Sequence, residues 1–248
     1  MIIRGQMKII KYQKLNGNKY NVYLDNGEKI KLYEDIIIKE SLLLTKEIDD
    51  IDRLLELNSK YEIYEISLKY ISTKIRSIKE MTDYLSKKGY SEIDINNTID
   101  KLIKKGYLND DYYSKCYITD RMNLSKDGPL KIKKHLEELE IPYPVYSKYL
   151  RNFNYELQKE KVKDYINKKL KSNRKSRYMF KNSMIVNLVN LGYDKELVNE
   201  CLYHIYVDDK DNLVKEKEKI RKKLEKKYSG DEFEYKIKQK LYQKGYFE

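Results

Sequence analysis

A six-residue pattern, Leu-x-x-x-Gly-Tyr, returns along this chain at a nearly constant interval. It appears as Leu85 with Gly89-Tyr90, as Leu188 with Gly192-Tyr193 and as Leu241 with Gly245-Tyr246. A degenerate copy, Leu136 with Glu140-Ile141, lies between the first two. The anchors at 89, 140, 192 and 245 are 51, 52 and 53 residues apart. A period of that length marks a chain built from repeated supersecondary units, each burying its apolar face only against a neighbour.

Other columns keep the same phase. Eight residues before the anchors stand Met81, Ile132, Met184 and Ile237; six after stand Ile95, Tyr146 and Val198. Ten after come Ile99, Leu150 and Leu202, and thirteen after come Leu102, Phe153 and Ile205. Columns −8 and −4 are one helical turn apart, and +6, +10 and +13 follow i, i+4, i+7, so each unit holds two amphipathic helices joined at the anchor. The end signals agree. Ser77 with Glu80 fits a capping box, Gly89 a C′ position and Ser91 a second N-cap, while Gly128-Pro129 puts proline at a first helical position. One further helix precedes each pair, at about 61–73, 110–123, 156–171 and 211–227, so a full unit is three helices. The apolar columns themselves read as core packing. These helices are written without a single Ala, and Lys, Glu, Leu and Ile stand in its place, which reads as coding bias.

Residues 8–39 follow a different rule. Tyr20, Val22 and Leu24 alternate with polar residues, as do Ile30 and Leu32, and the turns Asn16-Gly17-Asn18 and Asp25-Asn26-Gly27 bound these runs. That is a hairpin pattern, and Ile36, Ile37 and Ile38 read as another short strand. The expected fold is mainly α: tandem three-helix repeats forming an elongated curved solenoid, preceded by a small N-terminal β-hairpin region. The divisions are 1–44 for the hairpin region, 45–60 for a linking helix, 61–108, 109–155 and 156–208 for three repeats, and 209–248 for a partial one.

Composition excludes several classes. A mean hydropathy of −0.83 and the lack of any apolar run near about 18 residues rule out a membrane-spanning helix. Cys116 and Cys201 form no CxxC pair, so neither a disulfide framework nor a thiolate zinc site is expected. The opening residues MIIRGQMKII lack the pattern of a signal peptide, and a reducing cytoplasm is the expected location. There is no GxxxxGK[ST] loop, GxGxxG after a strand, or HExxH. His135 and His204 fall in different repeats and read as structural. Asp110-Asp111 follows a Gly-Tyr-Leu-Asn turn, where carboxylates favour a helix N-terminus, and Asp208-Asp209 is a second acidic pair. No nucleophile, base and orienter assemble, so neither a catalytic residue nor a cofactor or metal is expected.

Charge is where the sequence becomes specific. Residues 1–63 hold 11 basic and 11 acidic side chains; residues 64–248 hold 41 and 29, which is the whole net charge of +12. Between 161 and 181 stand Lys161, Lys163, Lys168, Lys169, Lys171, Arg174, Lys175, Arg177 and Lys181 against one acid, Asp164, an excess of +8. Lys126, Lys131, Lys133 and Lys134 surround the Gly128-Pro129 turn. Two readings stand. The charges are a solvated face of a Lys-rich chain, or they contact phosphates or an acidic protein groove. Tyr165, Tyr178 and Phe180 lie among them and read mostly as core, with base stacking as the alternative.

Three stretches resemble one family, RecX, the bacterial regulator of the recombinase RecA. Arg76-Ser77-x-x-Glu80-x-x-x-x-Leu85-x-x-Lys88-Gly89-Tyr90 is similar to its first-repeat signature. Gly106-Tyr107-Leu108-Asn109-Asp110-Asp111-x-Tyr113-x-x-x-Tyr117-Ile118-x-x-Arg121 is similar to its most diagnostic stretch. Lys126-Asp127-Gly128-Pro129-x-x-Ile132-x-x-x-Leu136 resembles the next. The resemblance covers about residues 8–248. Glu140 replaces a usual Lys-Gly pair and Ile75 a frequent Pro, which weakens one helix end and one helix start. The resemblance implies a non-enzymatic protein that binds RecA nucleoprotein filaments in their groove and modulates them, usually negatively. Single-stranded DNA is then a weak partner or one met inside the filament, there is no membrane partner, and the chain acts as a monomer. The residues expected at the partner or nucleic acid are Arg121 and the thirteen basic residues named above. The alternative is a DNA-binding helical protein that acts without RecA.

Overall fold

The computed structural model describes residues 6–247. Residues 1–5 of the expected hairpin region, half of the MIIRGQMKII opening, and Glu248 of the partial repeat lie outside the described residues.

Strands β1 (Met7–Lys14), β2 (Lys19–Leu24) and β3 (Lys29–Tyr33) form an antiparallel meander. Gly17 and Gly27 turn the chain at φ +78° and +84°, a conformation a side chain resists. The two-residue strand β4 (Glu47–Ile48) adds to β1, giving the order β3-β2-β1-β4. Val22, Leu24 and Leu32 point to one buried face, where they meet Ile36, Ile37, Ile48 and Leu54.

Two expectations are corrected here. Ile36–Ile38 is not a strand: it lies in helix α1 (Glu34–Lys39), whose first turn carries Glu34 and Asp35. Carboxylates at that end suit the helix dipole, and burying only Ile36 and Ile37 completes the sheet's core without a new sheet edge. After the short helix α2 (Leu42–Thr45), helix α3 runs unbroken over Ile51–Ile71. It merges the expected 45–60 linking helix with the first helix of the first repeat, because no Gly or Pro interrupts it. Asp50 caps its start by accepting the Arg53 N–H at 2.9 Å. The buried Asn58 on α3 accepts the Tyr33 N–H at 2.9 Å and donates to the Lys31 carbonyl at 3.2 Å, which pins the helix to β3.

The remaining helices come in the expected rhythm. They are α4 (Ile78–Lys87) and α5 (Glu92–Lys104); α6 (Asp110–Leu124), α7 (Pro129–Glu138) and α8 (Tyr143–Leu150); α9 (Tyr155–Leu170), α10 (Arg177–Asn190) and α11 (Lys195–Tyr203); then α12 (Lys210–Leu224) and α13 (Gly230–Gln243). The Ser77–Glu80 capping box is complete in both directions, and Ser91 caps α5. Met81, Ile132, Met184 and Ile237 are all buried, as are Leu85, Leu136, Leu188 and Leu241. Contacts cluster into two compact units, one ending at Tyr113 and one beginning at Ser114.

The geometry explains why the motif is Leu-x-x-x-Gly-Tyr. In each copy the residue after the anchor donates its N–H to the carbonyl of the Leu five residues back: Tyr90 to Leu85 at 3.4 Å, Ile141 to Leu136 at 3.1 Å, Tyr193 to Leu188 at 3.0 Å and Tyr246 to Leu241 at 3.1 Å. This is a Schellman ending, which needs a left-handed C′ residue and favours an apolar contact across it. The anchors supply φ of +86°, +58°, +89° and +77° at Gly89, Glu140, Gly192 and Gly245. Glu140 alone does so with a side chain, so Glu140→Gly is expected to raise stability by about 1 kcal/mol. A thermal melt with an unchanged or lower midpoint would contradict this.

Two of the glycines have a second role. Gly128 donates its N–H to the Leu191 carbonyl at 2.6 Å, and Leu130 donates to the Gly192 carbonyl at 3.0 Å. A Cβ on Gly128 would lie 2.5 Å from the Gly192 oxygen, and one on Gly192 would lie 2.4 Å from the Lys131 nitrogen. The start of α7 is thus laid backbone to backbone against the end of α10. The acidic pairs also prove to be joints. Asp110 accepts the Ile78 N–H at 2.9 Å, capping α4, and Asp209 accepts the Arg177 N–H at 2.5 Å, capping α10. The corresponding helix α7 begins with Pro129, which has no N–H to satisfy. Burial raises the Asp110 carboxyl above its ordinary value, against the pull of the Ile78 N–H.

Candidate functional site

The cations singled out by sequence separate into distinct groups once their partners are seen. Arg177 donates Nε to the Val207 carbonyl at 3.1 Å and lies over the Tyr206 ring at 5.2 Å. Lys181 donates to the Leu202 carbonyl at 2.8 Å, at the end of α11. Arg121 and Lys131 both reach Asp127, at 3.5 and 2.7 Å. Lys133 pairs with Glu137 at 3.6 Å and Lys134 with Glu138 at 3.9 Å, ordinary i,i+4 pairs on α7. These six side chains are engaged in holding the fold. Arg177→Met is therefore expected to cost about 1–3 kcal/mol by leaving the Val207 carbonyl unpaired. A denaturant midpoint equal to that of the parent chain would contradict this.

The second group has no carboxylate within ion-pair distance among the described residues: Lys126, Lys161, Lys163, Lys168, Lys169, Lys171, Arg174 and Lys175. Four of them gather around one ring. Lys126 from the α6–α7 loop and Lys169 near the end of α9 each place Nζ 5.8 Å from the centre of Tyr165. Lys161 and Lys168 flank Tyr165 on α9, where Lys161 donates to the Ser125 carbonyl at 3.5 Å. Lys126, Lys161 and Lys168 line a groove of about 170 Å³ together with Tyr165, Ser125, Asp164 and Tyr193. Lys171, Arg174 and Lys175, all exposed, continue from the end of α9 in the loop that leads to the buried Ser176, and Asn173 shapes this loop by accepting the Lys175 N–H at 3.0 Å. Lys163 stands apart on the flank of α9 toward Cys201.

α9 is also tied to α11. Lys159 meets Glu200 of α11 at 2.6 Å and the Tyr155 hydroxyl donates to the same carboxylate; these bonds hold Glu200 below its ordinary pKa. Val162 and Ile166 are buried beneath. The loop lysines thus extend from a helix whose position is set by core contacts. Lys168 and Lys169 also lie in its last turn, where the dipole favours cations. The neighbouring aromatics divide: Phe180 is buried as expected, Tyr165 is half-buried, and Tyr178 is exposed.

The structure brings to the site residues that the sequence reading did not place there. Ser125, Asp164 and Tyr193 shape the groove, and Asp127 takes two of the predicted cations out of it. A signal for Asp127 was present: it lies four residues before Lys131, the spacing of a helical ion pair. Cys116 and Cys201 are free, and burial pushes the Cys201 thiol up. His135 stacks on Tyr117 at 4.5 Å. No helix of the described residues is long and apolar enough to cross a membrane, and no group of three or more His, Cys, Asp or Glu among them is placed to hold a metal ion.

Comparison with known proteins bears on what this arrangement belongs to. The family model described as RecX, first three-helix domain, matches residues 64–107. "Regulatory protein RecX" of Oceanobacillus iheyensis is 30% identical over 247 residues, covering 94% of this chain and 91% of that protein. The protein of the same name from Bacillus cereus is 31% identical over 254 residues, covering 96% and 92%. Among solved structures, a crystal structure of a regulatory protein RecX aligns with a TM-score of 0.60 at 22% identity, over 78% of this chain and 97% of that one, a likeness of fold. RecX from Lactobacillus salivarius aligns with a TM-score of 0.52 at 26% identity, over 58% and 94%. With repeat, sheet and end-to-end similarity in agreement, this chain belongs to the RecX family of regulatory proteins.

Proposed function

We infer that this protein is a non-enzymatic regulator that binds RecA filaments on single-stranded DNA and modulates, usually inhibits, their recombinase and coprotease activity. Membership of a family whose relatives are named regulatory protein RecX supports the reading. The observation that carries the site is the run of cations without carboxylate partners among the described residues, Lys126, Lys161, Lys168, Lys169, Lys171, Arg174 and Lys175, borne on α9 and its adjoining loops. Unpaired cations on a fixed scaffold raise the local concentration of a polyanion and contact phosphates without sequence preference. The repeats 61–108, 109–155 and 156–208 serve as the scaffold, and the protein works as a cytoplasmic monomer without a cofactor.

The test is addition of the protein to RecA on circular single-stranded DNA with ATP. A concentration-dependent change in ATP turnover and filament length is expected; no change in either would sink the proposal. The second reading is a DNA-binding module that acts without RecA, favoured by Tyr165 between two lysines, an arrangement suited to a base and its phosphates.

A further inference from the structure

A larger cavity, of about 690 Å³, opens between α10, α11, α12 and the segment after α13, entirely within the second unit. Its size suits one nucleotide-sized ligand. Its apolar floor includes Ile185 and Leu202, but its character comes from its rim. Tyr178, Tyr203 and Phe247 stand there 50%, 82% and 55% exposed. Tyr178 and Tyr242 both meet Phe247 edge-on, with centroids 5.0 Å apart in each case, so the three rings support one another without closing into a stack. Of these, Tyr203 and Phe247 fall outside every apolar column of the repeat, so core packing does not account for them.

The polar groups of the cavity point to a class of ligand. Asn182 and Asn199 line it, and neither side-chain amide makes a hydrogen bond among the described residues. An amide offers a donor and an acceptor side by side, which matches the edge of a nucleobase. The carboxylate on the lining, Asp209, is occupied by the Arg177 N–H. Two and three residues before Arg177 come Lys175 and Arg174, which line a smaller cavity of about 200 Å³ that shares Tyr246 with this one. Exposed rings, free amides and adjoining unpaired cations are the components of a single-stranded nucleic-acid site, in which bases stack and the backbone tracks along positive charge.

We propose that this cavity receives an unstacked base of a single strand whose phosphates follow Arg174, Lys175 and the end of α9. The proposal deepens the polyanion reading of the loop cations and rests on it. Stacking acts on the base alone, so it separates from the phosphate contacts by chemistry: an abasic strand keeps every phosphate and loses every aromatic base.

The experiment compares the full chain and two variants, Tyr203→Ala and Tyr178→Ala, binding labelled 20-nucleotide oligo(dT) and an abasic 20-mer by fluorescence anisotropy. The parent chain should bind oligo(dT) about tenfold more tightly than the abasic strand. Each variant should lose most of that difference and leave abasic binding and its salt slope unchanged. Equal affinity of the parent for both strands overturns the base site and leaves the cation reading standing. Binding to neither strand overturns both. Variants that bind both strands like the parent but lose binding to a protein filament overturn it too, and place a protein segment in the cavity. A strand carrying 5-iododeoxyuridine gives an independent result: photo-crosslinking should map to Tyr178, Tyr203 or Phe247, and crosslinks confined to other parts of the chain overturn the proposal.

Discussion

Gly192→Ala is expected to lower the unfolding free energy by about 2–4 kcal/mol, several times the effect of the same change at Gly89. Both positions end a helix with a left-handed residue, at φ +89° and +86°. A methyl group on that backbone costs about 1 kcal/mol in either place. The surroundings then separate them. Nothing lies within 4 Å of a Cβ built on Gly89, whereas one on Gly192 meets the Lys131 nitrogen at 2.4 Å and its Cβ at 2.6 Å. The backbone of α7 would have to retreat, and such displacements in packed regions cost about 1–3 kcal/mol more. Gly128→Ala attacks the joint from the other side, so the double variant is expected to be less than additive. Urea unfolding followed by helical circular dichroism measures this. Equal midpoints for the Gly89 and Gly192 variants would mean that the close approach of α7 and α10 does not exist in solution.

The second large effect is on binding. Changing Lys168, Lys169, Arg174 and Lys175 together to Glu is expected to weaken binding to a RecA-coated single strand by about 100-fold or more and to lower its salt slope by about 3, at roughly 0.7 per phosphate contact on single strands. None of the four is ion-paired among the described residues, so helical content should persist, apart from about 0.3–1 kcal/mol from acids replacing the two lysines in the last turn of α9. Arg177 is left out on purpose. Its guanidinium holds the Val207 carbonyl, and changing it would confuse loss of binding with loss of fold. Normal binding by a folded quadruple variant, or loss of helical signal along with binding, would refute the assignment.

How much of this was written in the sequence depends on the range of the interaction. The repeat was legible because a Schellman ending is local: Leu85, Gly89 and Tyr90 carry its hydrogen bond, its φ and its apolar contact within six residues. Caps at Ser77 and Ser91 and the proline start of α7 are local in the same sense. Ile36–Ile38 was misread because three consecutive isoleucines have neither a period of 2 nor one of 3.6, and only the sheet above them selects the helix. The strand β4 is two residues long, below what any pattern can signal. In the candidate site, the density of charge was visible and its division was not. Lys181 ends 21 residues away at Leu202 and Arg177 ends 30 away at Val207, partners that folding alone brings near. The joint between Gly128 and Gly192 was hidden for the same reason: its two sides are 64 residues apart along the chain and each looked like an ordinary helix end.

The central claim is that the unpaired cations of α9 and its loops serve a RecA filament and not DNA alone. Equilibrium binding of the full chain to one labelled single strand, bare and RecA-coated, in the same buffer at about 0.15 M salt tests it most directly, since at that ionic strength only close charge contacts survive screening. The account predicts tighter binding to the coated strand, abolished by the Lys168, Lys169, Arg174 and Lys175 reversal. Equal binding to bare and coated strands would contradict it and leave a protein that binds DNA without regard to RecA.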